Sequence, residues 1–280
     1  MNPSSLAWIT GAAGLLGNYF VQNAPPHWKA RPITRADVDI LDFNAVRALF
    51  EKEKPALIIH CAAISKNPAC DADPALARRV NTEATANLCL LAETIPFVYV
   101  STDLVFDGQK GNYVEGDAVN PLSVYAETKV RAEEAVLKNP NHTVVRTSLN
   151  AGRSVARNRS FNEEMRLAFE AGRVMNLFSD EFRCPIPAEY TVRAIWEIAG
   201  SPGLYHLCGS EKLSRAQIGE LLAAHHADLN PMIVRGSLRD YKGSPRPPDT
   251  SMKCAKIQSK LSFQLPKFSD WLRAQPPGSL

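Results

Sequence analysis

Tyr125 and Lys129 lie four residues apart in Leu122 to Lys138, a stretch rich in Ala, Glu, Lys and Val that predicts a helix. On a helix that spacing puts both side chains on one face. A phenol with its ordinary pKa of about 10 is a poor base and a slow acid near neutrality. An ammonium beside it favours the phenolate, and bringing the pKa to neutrality that way would take roughly 4 kcal/mol. A phenol so tuned can give its proton to a carbonyl oxygen while hydride reaches the carbonyl carbon. Thr102 could donate a second hydrogen bond to the same oxygen. The spacing alone also fits a half-buried tyrosine and a solvated lysine, so its context decides.

Phe97 to Ser101 is an apolar, β-rich run that reads as a buried strand. Ser101, Thr102 and Asp103 then fall at its carboxyl end, where open α/β sheets place ligands. A second constellation opens the chain. Leu6 to Thr10 is a short apolar run followed at once by Gly11, Ala13, Gly14, Leu15, Leu16 and Gly17 in a GxxGxxG pattern, and then by a helical stretch. Strand, glycine turn and helix is the context of a dinucleotide motif. Gly11 would allow the tight turn, Gly14 the approach of a pyrophosphate, and Gly17 close helix packing. The helix N-terminus offers free N–H groups to phosphates. Arg31 to Arg35 reads as the second strand and its exit. An acid there would bind the adenosine ribose and favour NAD. This chain has Thr34 and then Arg35, which could pair with a 2′-phosphate, while Asp37 and Asp39 follow closely. NADP(H) is favoured and NAD(H) stays open.

The remaining elements must position these residues. Asp42 is placed to cap a helix over Phe43 to Phe50, which Lys54 and Pro55 end. Ala56 to Ala63 reads as a third buried strand with small residues at its end. Pro74 to Thr94 predicts one long helix opened by proline, on which Asn81 is either exposed or used. Thr143 to Thr147 is a fifth strand. This alternation since residue 6 argues an α/β fold with a Rossmann-type, doubly wound parallel sheet. After Ser148 the texture changes. Residues 1–150 are expected to form the dinucleotide-binding domain and 151–280 mainly a smaller α/β substrate-binding domain, with part of 175–200 returning to the first. Arg153, Arg157, Arg159 and Arg166 could face an anion or simply solvent. Ser214 and Gln217 form a capping box. Pro245 to Thr250, which carries Arg246, cannot be regular structure. His225 and His226 point two ways on a helix and read as surface, not metal ligands.

The 280 residues are 45% hydrophobic and 22% charged, with a formal net charge of +3. That balance gives no reason to expect nucleic acid or membrane as partner. The longest apolar run, Ala56 to Ile64, is too short to span a bilayer, and no signal-peptide pattern opens the chain. The six cysteines (Cys61, Cys70, Cys89, Cys184, Cys208, Cys254) show no CxxC pairs and read as free thiols of a cytoplasmic protein. Cys184 lies in a candidate substrate loop. No metal site is expected.

With those pieces in place, the chain resembles the dTDP-4-dehydrorhamnose reductase family of extended short-chain dehydrogenase/reductases. The resemblance rests on Gly11 to Gly17, Asp39 to Asp42, Arg78 to Asn81, Ser101 to Gly108, Pro121 to Lys129, Arg146 to Ser148, Gly203 to Leu207 and Arg246 to Thr250. It implies a Rossmann domain for NADP(H) or NAD(H) and a smaller domain closing over a nucleotide-sugar. It implies Thr102, Tyr125 and Lys129 as the catalytic set that reduces a 4-keto sugar, with Tyr125 and Lys129 also touching the cofactor. Asp39 and Ile40 match positions at the adenine, and Cys61, Ala62 and Ala63 match a segment along the cofactor. Thr102, Asp103, Leu104, Leu149 and Arg246 fall at the substrate. Where the family has an aromatic after Ser-Thr-Asp this chain has Leu104, and where it has Trp after Arg-Thr-Ser it has Leu149; the loop Ile64 to Pro68 also departs. The methionine adenosyltransferase beta subunit, a regulatory protein, shares this fold, and nucleotide-sugar epimerases are a further alternative. A homodimer is compatible with the resemblance.

Overall fold

Alternating side chains on the apolar runs bury both faces of one parallel sheet. The computed structural model describes residues 5–280. Its first half supplies β1 (Ser5–Thr10), β2 (Trp28–Ile33), β3 (Leu57–His60), β4 (Phe97–Thr102) and β5 (Thr143–Thr147). Four short strands follow: β6 (Asn150–Ala151), β7 (Met175–Phe178), β8 (Phe182–Arg183) and β9 (Ile186–Pro187). Then β10 (Gly203–Leu207) returns to lie beside β5. The six-stranded order is β10-β5-β4-β3-β1-β2, parallel throughout. Ala7, Ile9, Leu57, Ile59, Val98 and Val100 turn to one face, and Trp8, Ile58, Phe97 and Tyr99 to the other. Helices cover both, as a parallel sheet requires.

The connections are right for that role. Helix α1 (Leu15–Gln22) follows the glycine turn, and α2 (Phe43–Glu53) is capped by the Asp42 carboxylate, which accepts from Ala45 N. Lys54 ends α2 in the left-handed region. The helix expected over Pro74 to Thr94 is broken. Short α3 (Asn67–Ala72) and α4 (Pro74–Arg78) lead into a π-helical turn over Arg79–Glu83, and α5 (Ala84–Leu91) completes the crossover. Asn81 lies in the middle of that widened turn, and its side chain bonds outside the helix. Helix α6 (Val124–Leu137) is capped by Ser123.

The second half builds a third core from Ala151, Met165, Phe169, Leu177, Leu213, Leu222 and Phe268. It holds α7 (Phe161–Glu170) and, after α8 (Ala188–Ile198), strand β11 (Leu213–Ser214), α9 (Arg215–His225) and β12 (Ile233–Gly236). Helices α10 (Ala255–Gln258) and α11 (Phe268–Arg273) close the chain. Ser214 and Gln217 make the expected capping box. Residues 186–207 go back to the first core. Trp196 of α8 meets Phe20 of α1 edge to face, with ring centroids 5.9 Å apart, and Val192 and Ile195 join Ile9 and Ile59.

The strand order reverses between β1 and β3, so their carboxyl ends part there and leave a crevice. The Gly11–Gly17 turn leaves the end of β1, and Cys61 to Ala63 leave the end of β3.

Candidate active site

Sterics fix the turn at the crevice. Gly11 has φ +67°, and a Cβ there would lie 2.7 Å from Ala62 N. A Cβ on Gly17 would lie 2.3 Å from Gly11 O. Gly17 therefore lets α1 pack against the turn itself. Gly14 caps α1 without a side-chain bond, and the first turn has no acid. Its N–H groups are thus available to an anion, as a pyrophosphate cradle requires. Ala13 is exposed, Leu15 and Leu16 are half-buried, and Cys61, Ala62 and Ala63 line the opposite wall. The Thr10 hydroxyl ties the walls together, accepting from Cys61 N at 3.2 Å. Burial pushes the Cys61 thiol up to about 12.

At the exit of β2, Asp37 is spoken for. It accepts from the Thr34 hydroxyl at 2.6 Å and from Arg31 at 2.8 Å, and these bonds hold its carboxyl down at about 2. Asp39 accepts from Leu41 N, and Ile40 is half-buried. Arg35 is exposed, and among the described residues its side chain makes no hydrogen bond or ion pair. The acids that compete with it in sequence are therefore occupied locally.

Thr102 ends β4, and Tyr125 and Lys129 sit on the buried face of α6. All three are under 10% exposed. Thr102 faces Tyr125 closely enough for its hydroxyl to favour the phenolate, but burial outweighs that and raises the phenol's pKa. The expected lowering by Lys129 is absent. Lys129 Nζ instead donates to Val100 O at 2.8 Å and lies 4.0 Å from the centroid of the Tyr99 ring. Burial brings the ammonium down to about 7, with Glu133 pulling the other way. Tyr125 is thus a protonated phenol through the neutral range, which suits a proton donor.

Glu133 continues the same helical face, four residues past Lys129. It accepts from the Ser101 hydroxyl at 2.5 Å and from Arg146 Nη2 at 2.7 Å. Arg146 stands opposite Ser101 in β5 and reaches His206 of β10 at 3.4 Å. The sequence carried a signal for this buried network: an arginine inside the apolar strand Thr143–Thr147 requires a carboxylate partner. Asn81, left open as exposed or used, is used. Its amide accepts from Ile64 N at 2.8 Å and donates to Ile64 O and to the Thr128 hydroxyl, both at 3.0 Å. It holds the loop after β3 against the Tyr125 helix.

The substrate-side residues separate. Leu104 packs with Ile64, Val124 and Tyr125, whereas Leu149 packs into the core of the second lobe. The Asp103 carboxylate is turned inward, accepting from Ser148 at 2.8 Å and Thr250 at 2.9 Å, with Arg183 at 3.8 Å. It knots β4, β5 and the C-terminal segment together, and burial raises its pKa. Arg246 is not free: it pairs with Glu181 at 2.8 Å and 3.0 Å. Arg183 joins the same carboxylate at 3.0 Å. Arg215, which sequence reading missed, lies in this group with no side-chain hydrogen bond among the described residues, and burial brings it down to about 10. Arg153, Arg157 and Arg166 line a separate cavity of about 370 Å³ beside His226, while exposed Arg159 lies apart from it. His226 is 1% exposed, correcting its reading as surface: Phe169 packs against it. Among the described residues no cluster could hold a metal, and no helix is long and apolar enough to cross a membrane.

A six-stranded parallel sheet with a glycine turn at its switch point, and Thr, Tyr and Lys gathered at the carboxyl end of β4, define the short-chain dehydrogenase/reductase architecture. Residues 7–275 match the family model described as the RmlD substrate binding domain, and the chain belongs to that family. It is 26% identical to a dTDP-4-dehydrorhamnose reductase of Sinorhizobium fredii, over 95% of this chain and 94% of that one. It is 30% identical to the methionine adenosyltransferase 2 subunit beta of Xenopus laevis, over 91% and 82%. Among solved structures, dTDP-4-dehydrorhamnose reductase from Bacillus anthracis in complex with NADP superposes with a TM-score of 0.89 at 22% identity, covering 96% of this chain and 98% of that one.

Proposed function

We propose that this protein is an NADP(H)-dependent reductase of a 4-keto nucleotide-sugar. The observation that carries the reading is the buried meeting of Thr102 and Tyr125 beside the glycine-turn crevice, with a protonated phenol as the available acid. The pyrophosphate of the cofactor would rest on the turn from Gly11 to Gly17, its adenosine near Asp39 and Ile40, and its 2′-phosphate on the free Arg35. Cys61 to Ala63 would flank it. When bound, the dihydronicotinamide supplies hydride. Tyr125 donates its proton to the keto oxygen as that oxygen gains charge, and Thr102 donates a hydrogen bond to the same atom. Lys129 holds the end of β4 through Val100 O. Leu104 would form an apolar wall for the sugar, and Leu149 a more distant one. Arg215, with Arg246 beside it, would meet the diphosphate. Residues 1–150 would hold the cofactor and 151–280 most of the substrate, with 186–207 belonging to the first lobe. The protein would work in the cytoplasm.

The test is NADPH oxidation with a panel of 4-keto nucleotide-sugars, with Tyr125→Phe as control. Turnover lost in the variant with NADPH binding retained supports the reading; turnover retained in the variant rules out Tyr125 as donor. A second reading, a cofactor-binding regulatory subunit, is supported by the 30% identity to the methionine adenosyltransferase subunit. Tight NADPH binding without turnover on any of these sugars, together with a stable complex with a methionine adenosyltransferase catalytic subunit, would favour it.

A further inference from the structure

Three of the six cysteines, far apart in sequence, meet behind the candidate substrate site. Cys208 follows the last residue of β10, Cys254 precedes α10, and Cys184 lies between β8 and β9. All three belong to one small apolar core with Val105, Phe106, Tyr113 and Met252. The Cys208 and Cys254 Sγ atoms are 3.3 Å apart. Cys208 N also donates to Cys254 Sγ at 3.2 Å, and the Cys208 thiol reaches Met252 O at 3.5 Å. Cys184 lies in the same core as Cys208. Cys208 is fully buried, whereas Cys254 is only half-buried and within reach of a small oxidant.

Cys254 ends a strap, residues 246–254, that crosses the second lobe and returns to the sheet. Arg246 pairs with Glu181, Phe182 N donates to Pro248 O, and Thr250 bonds Asp103. Asn112 N donates to the Ser251 hydroxyl, and Lys253 N to Tyr113 O. A covalent link at Cys254 would pin the far end of this strap to the strand that closes the parallel sheet. The strap's other end carries Arg246, at the edge of the substrate site.

We propose that Cys208 and Cys254 are a redox modification site and form a reversible intramolecular disulfide under peroxide. The Cys254 thiol loses its proton and its thiolate attacks one peroxide oxygen; the O–O bond breaks, and the departing hydroxide takes that proton, giving the sulfenic acid and one water. Cys208 then loses its proton and its sulfur attacks the Cys254 sulfur. The S–O bond breaks, and the departing hydroxide takes the proton as a second water. Two thiols and one peroxide thus give one disulfide and two waters. The sulfur atoms need to close only from 3.3 Å to about 2.05 Å. Such bonds in reducing compartments are transient and redox-sensing, and a dithiol reductant reverses this one.

The test treats the folded chain at low concentration with hydrogen peroxide in small excess, then counts thiols in denaturant and maps unreduced tryptic peptides. The count should fall from six to four, with the peptide Ala194–Lys212 joined to Cys254–Lys256, and dithiothreitol should restore six. Cys184→Ser should leave that link in place. Cys254→Ser should keep its remaining thiols, with its circular dichroism confirming that it is folded. A count that stays at six, a link through Cys184, or a link only between chains would overturn the assignment.

Discussion

Burial, rather than the neighbouring ammonium, sets the state of Tyr125. The phenol is 9% exposed and its pKa is raised, so it enters any reaction with its proton in place. Removing that proton donor should lower kcat by about 10²–10⁴, with the NADPH dissociation constant of Tyr125→Phe nearly unchanged by fluorescence titration. The Arg215 guanidinium makes a separable prediction. It is half-buried among Glu181, Arg183 and Arg246 without a side-chain hydrogen bond of its own among the described residues. A charge-assisted bond to a diphosphate contributes about 1.5–3 kcal/mol. Arg215→Gln should therefore raise KM for a nucleotide-sugar by roughly ten-fold or more, leaving kcat and the KM for NADPH alone. A loss confined to kcat would remove Arg215 from the substrate's reach.

Helix α6 carries Tyr125, Lys129 and Glu133 on one buried face, and Glu133 fastens that face to β4 through Ser101 and to β5 through Arg146. The residues that clamp the helix are thus one turn past those that face the crevice. Without the Glu133 charge, the Lys129 ammonium, already down at about 7, loses support and gives up its proton at lower pH. The alkaline limb of kcat/KM for NADPH, which reports groups of the free enzyme, should move to lower pH in Glu133→Gln. The variant also leaves Arg146 without its full partner, so its melting temperature should fall. A melting shift with an unmoved limb would reduce Glu133 to a structural role. Asn81 does for the loop after β3 what Glu133 does for β4. Asn81→Ala strands the Ile64 N–H, leaves Ile64 O only the Cys70 thiol at 3.3 Å, and should cost about 1–3 kcal/mol, read by denaturant titration; an unchanged midpoint would show that water replaces the amide without loss. The glycine turn, the main strands and the Tyr125 helix were legible in sequence because local rules govern them: a tight turn at Gly11, short apolar runs, and a stretch of good helix formers from Leu122 to Lys138. The π turn at Asn81, the inward Asp103 and the buried His226 were not. Each depends on a partner remote in the chain: Ile64, Thr250 and Phe169 respectively. The small strands β6, β7, β8, β9, β11 and β12 are two to four residues long, too short for a period to show.

Across the whole molecule, histidine burial gives one pH signature. His60 lies between Thr10 and Thr85 at 0% exposure, and burial brings it down to about 3. His206, also at 0%, is brought down to about 4 beside Arg146 and Glu115. His142, His225 and His226 are lowered too, burial being the first cause in each. The unfolded chain takes up protons on these rings at its ordinary pKa of about 6.5, while the folded chain does not. Folding stability is therefore intact above about pH 6.5 and is lost as the pH falls toward 4, at up to about 1.4 kcal/mol per pH unit for each fully buried ring. His60 and His206 together should remove about 2 kcal/mol between pH 6 and pH 5. Lys129 adds nothing to this slope, because both of its states are protonated there; its effect lies between about 7 and its ordinary value of 10.5. Asp37, held down at about 2, weakens the fold only below the ordinary carboxylate range. Asp103, raised by burial, opposes the trend from its raised value down through the ordinary carboxylate range. Urea titrations at half-unit steps should show the midpoint dropping steadily from pH 6.5 to 4.5. His60→Gln, which can still bond Thr10 or Thr85, should flatten the upper part of that slope even if its stability at pH 7.5 is lower. A midpoint constant over this window in the parent protein would mean that the rings take up protons in the folded state, and that the burial argument for His60 and His206 is wrong.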